Sequence, residues 1–456
     1  MKIVIVGGGR VGFVIADQLT KEGHDIVLVD NNKEVVQELS DSLDIMVMYG
    51  NGAALNVQRE ADVEHSDLLI AATPSDEVNM VCCMLARKLG CQNTICRVRN
   101  PEYSEQAYLM SKEMGLSMII NPEWTAAREI FRLMQIPGFL KRDSFAKGRV
   151  EIVELVIKEG SPFDGASLME LSRRLKLRIL VCAIERDGDA LIPDGNFRLQ
   201  VGDKIYVSAA TAELAKLMET IGKREKKTKD AMIIGGGRTA YYLADMLLKT
   251  GTRVKIIEKR REICTSLAEQ LPKATVVHGD GSSQSLLKAE NIELMDTVVT
   301  MTDIDEQNLI LSLFADHIGV RQVITKVDST EHNALLRDKG IDCVINPKPI
   351  CAQAIIHYVR CMQNIDGSSV QTVHYLVDGK VEALEFRVKD TAAKYLEKPL
   401  RDLRLKDGLL IACINRMGKI IIPSGNDSIE NGDTVIVVSK ANRYVVDLRD
   451  IFVREG

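Results

Sequence analysis

Two short stretches of this chain could hold a phosphate on bare backbone. The first reads Ile3-Val4-Ile5-Val6-Gly7-Gly8-Gly9-Arg10-Val11-Gly12, and Asp30 ends the next apolar run. The second reads Met232-Ile233-Ile234-Gly235-Gly236-Gly237-Arg238-Thr239-Ala240, and Glu258 follows it. Gly7 and Gly235 permit a tight turn, and Gly9 and Gly237 let an anion approach the main chain. Gly12 lets a helix pack near the strand. The N–H groups at that helix start form the anion site. Asp30 stands 18 residues past Gly12 (30 − 12), where it can accept hydrogen bonds from ribose hydroxyls. Its charge repels a 2′-phosphate, which favours NAD(H) or ATP/ADP over NADP. In the second copy Ala240 replaces the third glycine and Glu258 reaches farther than Asp30. That copy reads either as a second nucleotide site or as a degenerate structural repeat.

Other residues cluster with these turns. Arg10 and Arg238 occupy the same place in both phosphate turns, beside Val11 in the first, where a guanidinium can grip a phosphate bidentately. The plain alternative is an exposed arginine at a helix start. Gly50-Asn51-Gly52 returns as Gly279-Asp280-Gly281, which adds Asn51, Gly52, Asp280 and Gly281 to the candidate set. Thr73, Asp76 and Asn79 recur as Thr302, Asp305 and Asn308. At the carboxyl end of a strand, Thr73 could meet a pyrophosphate. Capping explains it equally: Thr73 as N-cap, Pro74 at the first helical position, Asp76 and Glu77 at the positive helix start. Arg97 and Arg99 follow a strand and could neutralise phosphate, and only Arg97 keeps a basic counterpart, Lys326.

The elements that must position these residues are legible as apolar runs. Lys2–Val6, Asp25–Val29, Ile45–Met48, Leu68–Ala71, Thr94–Val98 and Met118–Ile120 read as strands with helical stretches between them. Such alternation predicts a doubly wound parallel sheet. Asn121-Pro122 then opens a helix, Glu123–Gln135, whose apolar load (Trp124, Ile130, Phe131, Leu133, Met134) reads either as a surface for docking on a partner or as a helix on its own domain's surface. From Arg149 the pattern turns to short strands and turns such as Pro193-Asp194-Gly195-Asn196, and these return at Pro423-Ser424-Gly425-Asn426. The matching glycines lie 228 positions apart (235 − 7), half the chain, so the protein is read as an internal duplication. The expected fold class is α/β: two tandem Rossmann-like doubly wound parallel-sheet domains, each followed by a small α+β lobe. The expected boundaries are 1–140, 141–222, a charged linker 223–230, 231–366 and 367–456.

Composition narrows the function. A net charge of −5 over 456 residues gives no general attraction to nucleic acid or to an anionic membrane surface. No stretch approaches the ~20 apolar residues that span a bilayer, so a cytoplasmic protein is expected. Ten cysteines without a C-x-x-C read as small buried hydrophobes, with a redox-sensing thiol as the alternative. Seven scattered histidines pair with no cysteine at metal-ligand spacing.

Taken together, the paired glycine loops, the Gly50–Gly52 and His278–Gly281 turns, the Ala71–Asn79 segment and its repeat, the Asn-Pro helix starts at 121 and 346, and the two small lobes resemble the Trk-type potassium-uptake regulatory subunits. These are tandems of RCK domains, and the resemblance covers essentially the whole chain. It implies a peripheral subunit on the inner face of the cell membrane, assembled as a homo-oligomeric ring, a tetramer. Its partner would be an integral membrane potassium-translocating subunit. NAD(H) and/or ATP/ADP would act as regulatory ligands. It further implies that Gly7, Gly9, Arg10, Gly12 and Asp30 carry one site, that Gly235, Gly237, Arg238 and Glu258 carry the other, and that Glu123–Gln135 is a crossover helix. The competing reading is an NAD-dependent oxidoreductase. It is opposed by small lobes with a single histidine, His374, and by the lack of a proton relay beside the glycine loops. A nucleotide-responsive DNA regulator is a third class, opposed by the acidic balance.

Overall fold

The computed structural model describes residues 1–135, 141–146, 149–221, 228–328, 344–362, 370–389, 394–440, 445 and 447–453. They group into two compact units that interleave along the sequence. One takes residues from Met1–Met134 and Thr228–Ile356, the other from Gln135–Lys227 and His357–Gly456. The expected boundaries at 140, 222 and 366 lie outside the described residues, as does 223–227 of the expected linker 223–230; of its last three residues, Thr228 is buried and Asp230 begins a strand.

The chain opens with β1 (Lys2–Val6), α1 (Arg10–Lys21), β2 (Asp25–Asp30), α2 (Lys33–Ser42), β3 (Met46–Tyr49) and α3 (Leu55–Glu60). It continues with β4 (Leu68–Ala71), α4 (Asp76–Leu89), β5 (Thr94–Arg97), α5 (Pro101–Met110), β6 (Met118–Ile120) and α6 (Pro122–Gln135). The strands are parallel and lie in the order β3-β2-β1-β4-β5-β6. Helices cover both faces, so Ile3, Val4 and Ile5 are wholly buried, and the strand reads as an unbroken apolar run. Strand order reverses between β1 and β4, which opens a crevice at their carboxyl ends.

A smaller antiparallel sheet follows, built from β7 (Lys141–Phe145), β8 (Val150–Val156), β9 (Ile179–Arg186), β10 (Asp189–Leu191) and β11 (Lys204–Ala210) in the order β10-β9-β11-β8-β7. Helices α7 (Leu168–Leu175) and α8 (Thr211–Thr220) accompany it. Ser167 and Glu170 start α7 with a reciprocal capping box. Gly202-Asp203 in this lobe, repeated as Gly432-Asp433 in the second half, has a structural role. Buried Asp203 accepts from Nε and Nη2 of Arg186 at 2.7 Å, as Asp433 accepts from the same atoms of Arg416 at 2.9–3.0 Å.

The second half repeats the plan. Its large sheet runs through β12 (Asp230–Ile234), α9 (Arg238–Lys249), β13 (Arg253–Glu258), α10 (Arg261–Gln270), β14 (Thr275–His278), α11 (Gln284–Ala289), β15 (Thr297–Thr300), α12 (Asp305–His317), β16 (Gln322–Lys326), β17 (Val344–Ile345) and α13 (Pro347–Met362). The order β14-β13-β12-β15-β16-β17 matches the first sheet strand for strand. The last sheet, from β18 (Val370–Leu376), β19 (Val381–Arg387), β20 (Leu409–Arg416), β21 (Lys419–Ile421) and β22 (Thr434–Lys440), is ordered β18-β19-β22-β20-β21. Two Rossmann-like parallel sheets and two antiparallel lobes are therefore the fold.

Helix α6 finds cover for most of its apolar excess inside the chain, with Trp124 left exposed. Ala126, Ala127, Ile130, Leu133 and Met134 share one core with Ala240, Leu243, Ala244 and Leu247 of α9 and with Ile324 of β16. The Gln322 side chain donates to the Leu133 carbonyl at 3.2 Å, and the Tyr242 hydroxyl donates to the Arg99 carbonyl at 3.1 Å. The surface that this helix docks on belongs to the second large lobe of the same chain. Burying Ile130, Leu133 and Met134 contributes roughly 5–9 kcal/mol, as an upper figure.

Candidate functional site

The two glycine loops have the same construction. Gly7 and Gly235 both sit at φ +104°, and a Cβ on either would strike the backbone of the neighbouring strand end, at Ala72–Thr73 or Met301–Thr302. Only glycine serves there. A Cβ on Gly12 would collide with the Gly7 carbonyl oxygen, so α1 lies against its own turn. In the second copy Ala240 keeps a methyl group, buried in the core that α6 completes. Gly9 and Gly237 have nothing within 4 Å of a Cβ, which leaves the anion approach open. They are the N-cap residues of α1 and α9, and neither helix start receives a side-chain cap. Their N–H groups are available to a ligand.

Both acids close on their loops. Asp30 accepts from the Gly8 N–H at 2.6 Å and from the Asn32 N–H at 2.8 Å. Glu258 accepts from the Gly236 N–H at 2.7 Å and from the Arg260 N–H at 2.7 Å. Burial pushes the Glu258 carboxyl up, but the Arg260 and Gly236 N–H groups and the Arg260 guanidinium outweigh it and hold it below the ordinary value. Arg260 also lies 3.6 Å from Asp303. The first copy has Asn32 at this place, a neutral cap for α2. Sequence reasoning missed Arg260; its offset of two from Glu258, matching Asn32 after Asp30, was the available signal.

The turns after β3 and β14 pack against the same strand ends. Gly52 abuts Val6 and Gly281 abuts Ile234 so closely that a Cβ at either would clash. Asn51 folds its own turn by accepting from the Ala53 N–H at 3.0 Å. Asp280 accepts from the Ser282 N–H at 2.9 Å and hydroxyl at 2.7 Å, and lies 3.0 Å from Lys259. These contacts lower its pKa to about 2. Thus Gly7, Gly9, Gly12, Asp30, Asn51, Gly52 and Thr73 gather at the carboxyl ends of the first parallel sheet's strands, as do Gly235, Gly237, Glu258, Asp280, Gly281 and Thr302 at those of the second.

The capping expectation for Thr73 is corrected. Helix α4 starts at Asp76, and its N-cap is Ser75, whose hydroxyl accepts from the Val78 N–H at 3.2 Å. Pro74 lies before the helix and biases Thr73 to extended backbone. The Thr73 N–H and hydroxyl donate instead to Asn79 Oδ1, at 2.8 and 2.7 Å. Asn79 is wholly buried and returns two donations, to the Thr73 and Arg97 carbonyls at 3.1 and 3.0 Å. Thr302 and Asn308 repeat the arrangement, and Ile304 at the α12 N-cap gives no side-chain cap. Asp76 serves the next loop by accepting from the Arg99 and Asn100 N–H groups at 2.9 and 2.8 Å. The ends of β4 and β5 are thereby tied to one helix.

Arg97 and Val11 of the first half line a cavity of about 670 Å³ together with Gly236, Gly237 and Arg238 of the second loop. Arg99 lines it too, held 2.6 Å from Glu123, and Lys326 lies 3.7 Å from Asp328. Arg97 and Arg238 have no carboxylate partner among the described residues. Burial, then the charge of Arg99, pulls the Arg97 pKa down. Arg10 is not among the residues that line this cavity, although its neighbour Val11 is. Arg10 is largely exposed, with Asp328 at 3.9 Å. Among the described residues no three His, Cys, Asp or Glu side chains could hold a metal ion, and no helix is long and apolar enough to cross a membrane. The eight cysteines whose side chains are described are all buried.

Comparison with known proteins agrees with this duplication. The chain matches the TrkA-N domain over residues 3–122 and again over 231–347, and the TrkA-C domain over 152–222 and 383–446. It is 32% identical over 445 residues to the Trk system potassium uptake protein TrkA homolog of Archaeoglobus fulgidus, covering 96% of this chain and 97% of that one. The crystal structure of the GsuK RCK domain superposes with a TM-score of 0.64 at 20% identity, covering 97% of this chain and 92% of that chain. The GsuK channel bound to NAD superposes at 0.63, also at 20% identity, covering 97% and 77%. Both halves of the duplication carry the same pair of domains in the same order, and the chain belongs to the TrkA family of Trk system potassium uptake proteins.

Proposed function

We propose that this chain is the nucleotide-sensing regulatory subunit of a potassium-uptake system. In this reading it forms a homo-oligomeric ring, a tetramer, on the inner face of the cell membrane. Ligand-dependent changes in that ring gate a separate membrane-embedded potassium-translocating subunit. The observation that carries the reading is the pair of uncapped helix starts at Gly9 and Gly237, each beside an acid placed for ribose. Gly7, Gly9, Arg10, Val11, Gly12, Asp30, Asn51, Gly52 and Thr73 form the first site. Gly235, Gly237, Arg238, Glu258, Asp280, Gly281 and Thr302 form the second, with Arg97 reaching it from the first half. NAD(H) and/or ATP/ADP are the regulatory ligands. The names of the relatives support the potassium system, and the NAD-bound GsuK channel supports the ligand class. The lobes are assigned to 1–140, 141–222, 231–366 and 367–456, with 223–230 as linker.

Such a ring suits weak signals. Moving a two-state equilibrium from 1:99 to 99:1 takes about 5.5 kcal/mol of differential binding. Spread over eight sites, each supplies roughly 0.7 kcal/mol, less than one good hydrogen bond. Calorimetric titration of the purified chain with NADH, NAD, ATP and ADP tests the proposal. Two saturable sites per chain without nicotinamide turnover are expected. Turnover with any substrate would revive the oxidoreductase reading, and no binding would remove the basis of gating.

A further inference from the structure

His374 is the one histidine of the small lobes, and the nucleotide reading gives it no task. It lies on β18, opposite Ala383 of β19, two residues before Leu376, which faces Val381. Asp143 holds the same place in the first lobe: opposite Ile152 of β8, two residues before Phe145, which faces Val150. The two residues are counterparts in the duplication, 231 positions apart (374 − 143). In the folded unit they meet, with His374 Nδ1 donating to Asp143 Oδ1 at 3.0 Å. The Phe145 ring packs edge-on to the imidazole, with centroids 4.6 Å apart.

The surroundings show why counterparts meet. One core joins the lobes, and it takes equivalent residues from each: Phe145 and Leu376, Cys182 and Ala412, Ala183 and Cys413, Tyr206 and Ile436. At the periphery Lys380 Nζ donates to the Gly188 carbonyl at 2.5 Å. The equivalent Arg149 guanidinium lies against Gly418, the counterpart of Gly188. The lobes are thus related by a pseudo-two-fold axis, and a residue on such an axis faces its own equivalent. Two identical lobes would place Asp against Asp or His against His. Carboxylates about 3 Å apart cannot both stay ionised. Two imidazoles facing through Nδ1 pair only when both are neutral and in opposite tautomers, and lose that pairing once both are protonated.

We propose that Asp143 and His374 are the pairing determinant of the small lobes, making a first lobe accept a second lobe and reject another first lobe. The apolar core supplies attraction with less discrimination, since its equivalent residues are all buried and, the Tyr206 hydroxyl apart, apolar. The axial pair supplies the difference, as a single polar residue sets the partner in a coiled coil. The duplicated halves could then diverge while remaining closed on each other.

The test uses the full chain and two native thiols. Cys182 and Cys413 are wholly buried in the lobe–lobe core, and burial pushes both up to about 12, so the closed pair is unreactive. Cys82 and Cys83, buried in the first large lobe, report whether the rest stays folded. Peptide-resolved labelling with a thiol reagent is followed in wild type, H374D, the charge swap D143H/H374D, and D143A/H374A. H374D should label Cys182 and Cys413 roughly tenfold faster, the equivalent of one pKa unit of lost coupling, with Cys82 and Cys83 unchanged. The swap should return to within about threefold of wild type, and D143A/H374A should fall between. A swap that labels as fast as H374D would overturn the proposal, because complementarity would then not matter. So would H374D labelling at the wild-type rate, or D143A/H374A labelling as fast as H374D. If H374D does not fold, recovery of a folded, protected swap still supports the pairing rule, and an unfolded swap refutes it.

Discussion

Replacing Asn79 with alanine should cost far more than a polar truncation on a surface. Asn79 has no solvent exposure and takes part in four hydrogen bonds, two with Thr73 as donor and two to carbonyls. Each is worth about 1–1.5 kcal/mol net, so the sum approaches 4–6 kcal/mol. Water can reach the part-exposed Thr73 side and recover some of it, which leaves an expected loss of about 3–5 kcal/mol. The effect should extend to the ligand, because Asn79 joins the end of β4, against Gly7, to the end of β5 at Arg97. Urea unfolding read by Trp124, the single tryptophan, measures the stability, and calorimetry measures nucleotide affinity. Asn308→Ala should copy the loss at the second loop. A loss under about 1 kcal/mol in Asn79→Ala, with affinity unchanged, would refute the reasoning, since a buried group with this many partners cannot be replaced by a cavity so cheaply.

Gly12→Ala should abolish nucleotide binding at the first loop, since its methyl meets the Gly7 carbonyl oxygen, whereas Ala240→Gly should only lower helix stability by about 0.5–1 kcal/mol; titration and thermal melting separate the two. Arg10→Ala should equalise the effects of ATP and ADP on the ring, read by light scattering or crosslinking at saturating ligand. Retained discrimination would move the terminal-phosphate contact elsewhere. Glu258 is held below the ordinary carboxylate value on folding, so its contribution is present above the unfolded pKa and fades as pH falls through the folded one. Glu258→Gln should therefore flatten the acid limb of the stability profile below about pH 4.5, measured by melting temperature against pH.

Local patterns were enough to read the glycine turns, the acids that follow them and the doubly wound parallel class of the large sheets, but not the order of their strands. Each depends on residues close in sequence: Gly7 on the turn it makes, Ile3–Ile5 on a strand buried on both faces. Thr73 was misplaced because capping was judged from spacing alone. Its real partner, Asn79, is six residues away and acts only because β4 and β5 end side by side. Arg97 was legible as a base after a strand, but not as a wall of the cavity over the second loop. That position depends on how the two large lobes pack. Asp143 carried no signal, since its meaning appears only opposite His374, 231 residues later. Composition told which surface of α6 was apolar and left open what covers it.

The placement of α6 has a consequence for synthesis. Its apolar side is finished by Ile324, which is translated 190 residues after Met134 (324 − 134). At about 5–20 residues per second the ribosome needs roughly 10–40 seconds to supply that partner. Throughout that interval the nascent first half holds Ile130, Leu133 and Met134 without their final cover. The helix that fastens the two large lobes in the finished molecule is therefore an uncovered apolar surface while the second half is being made.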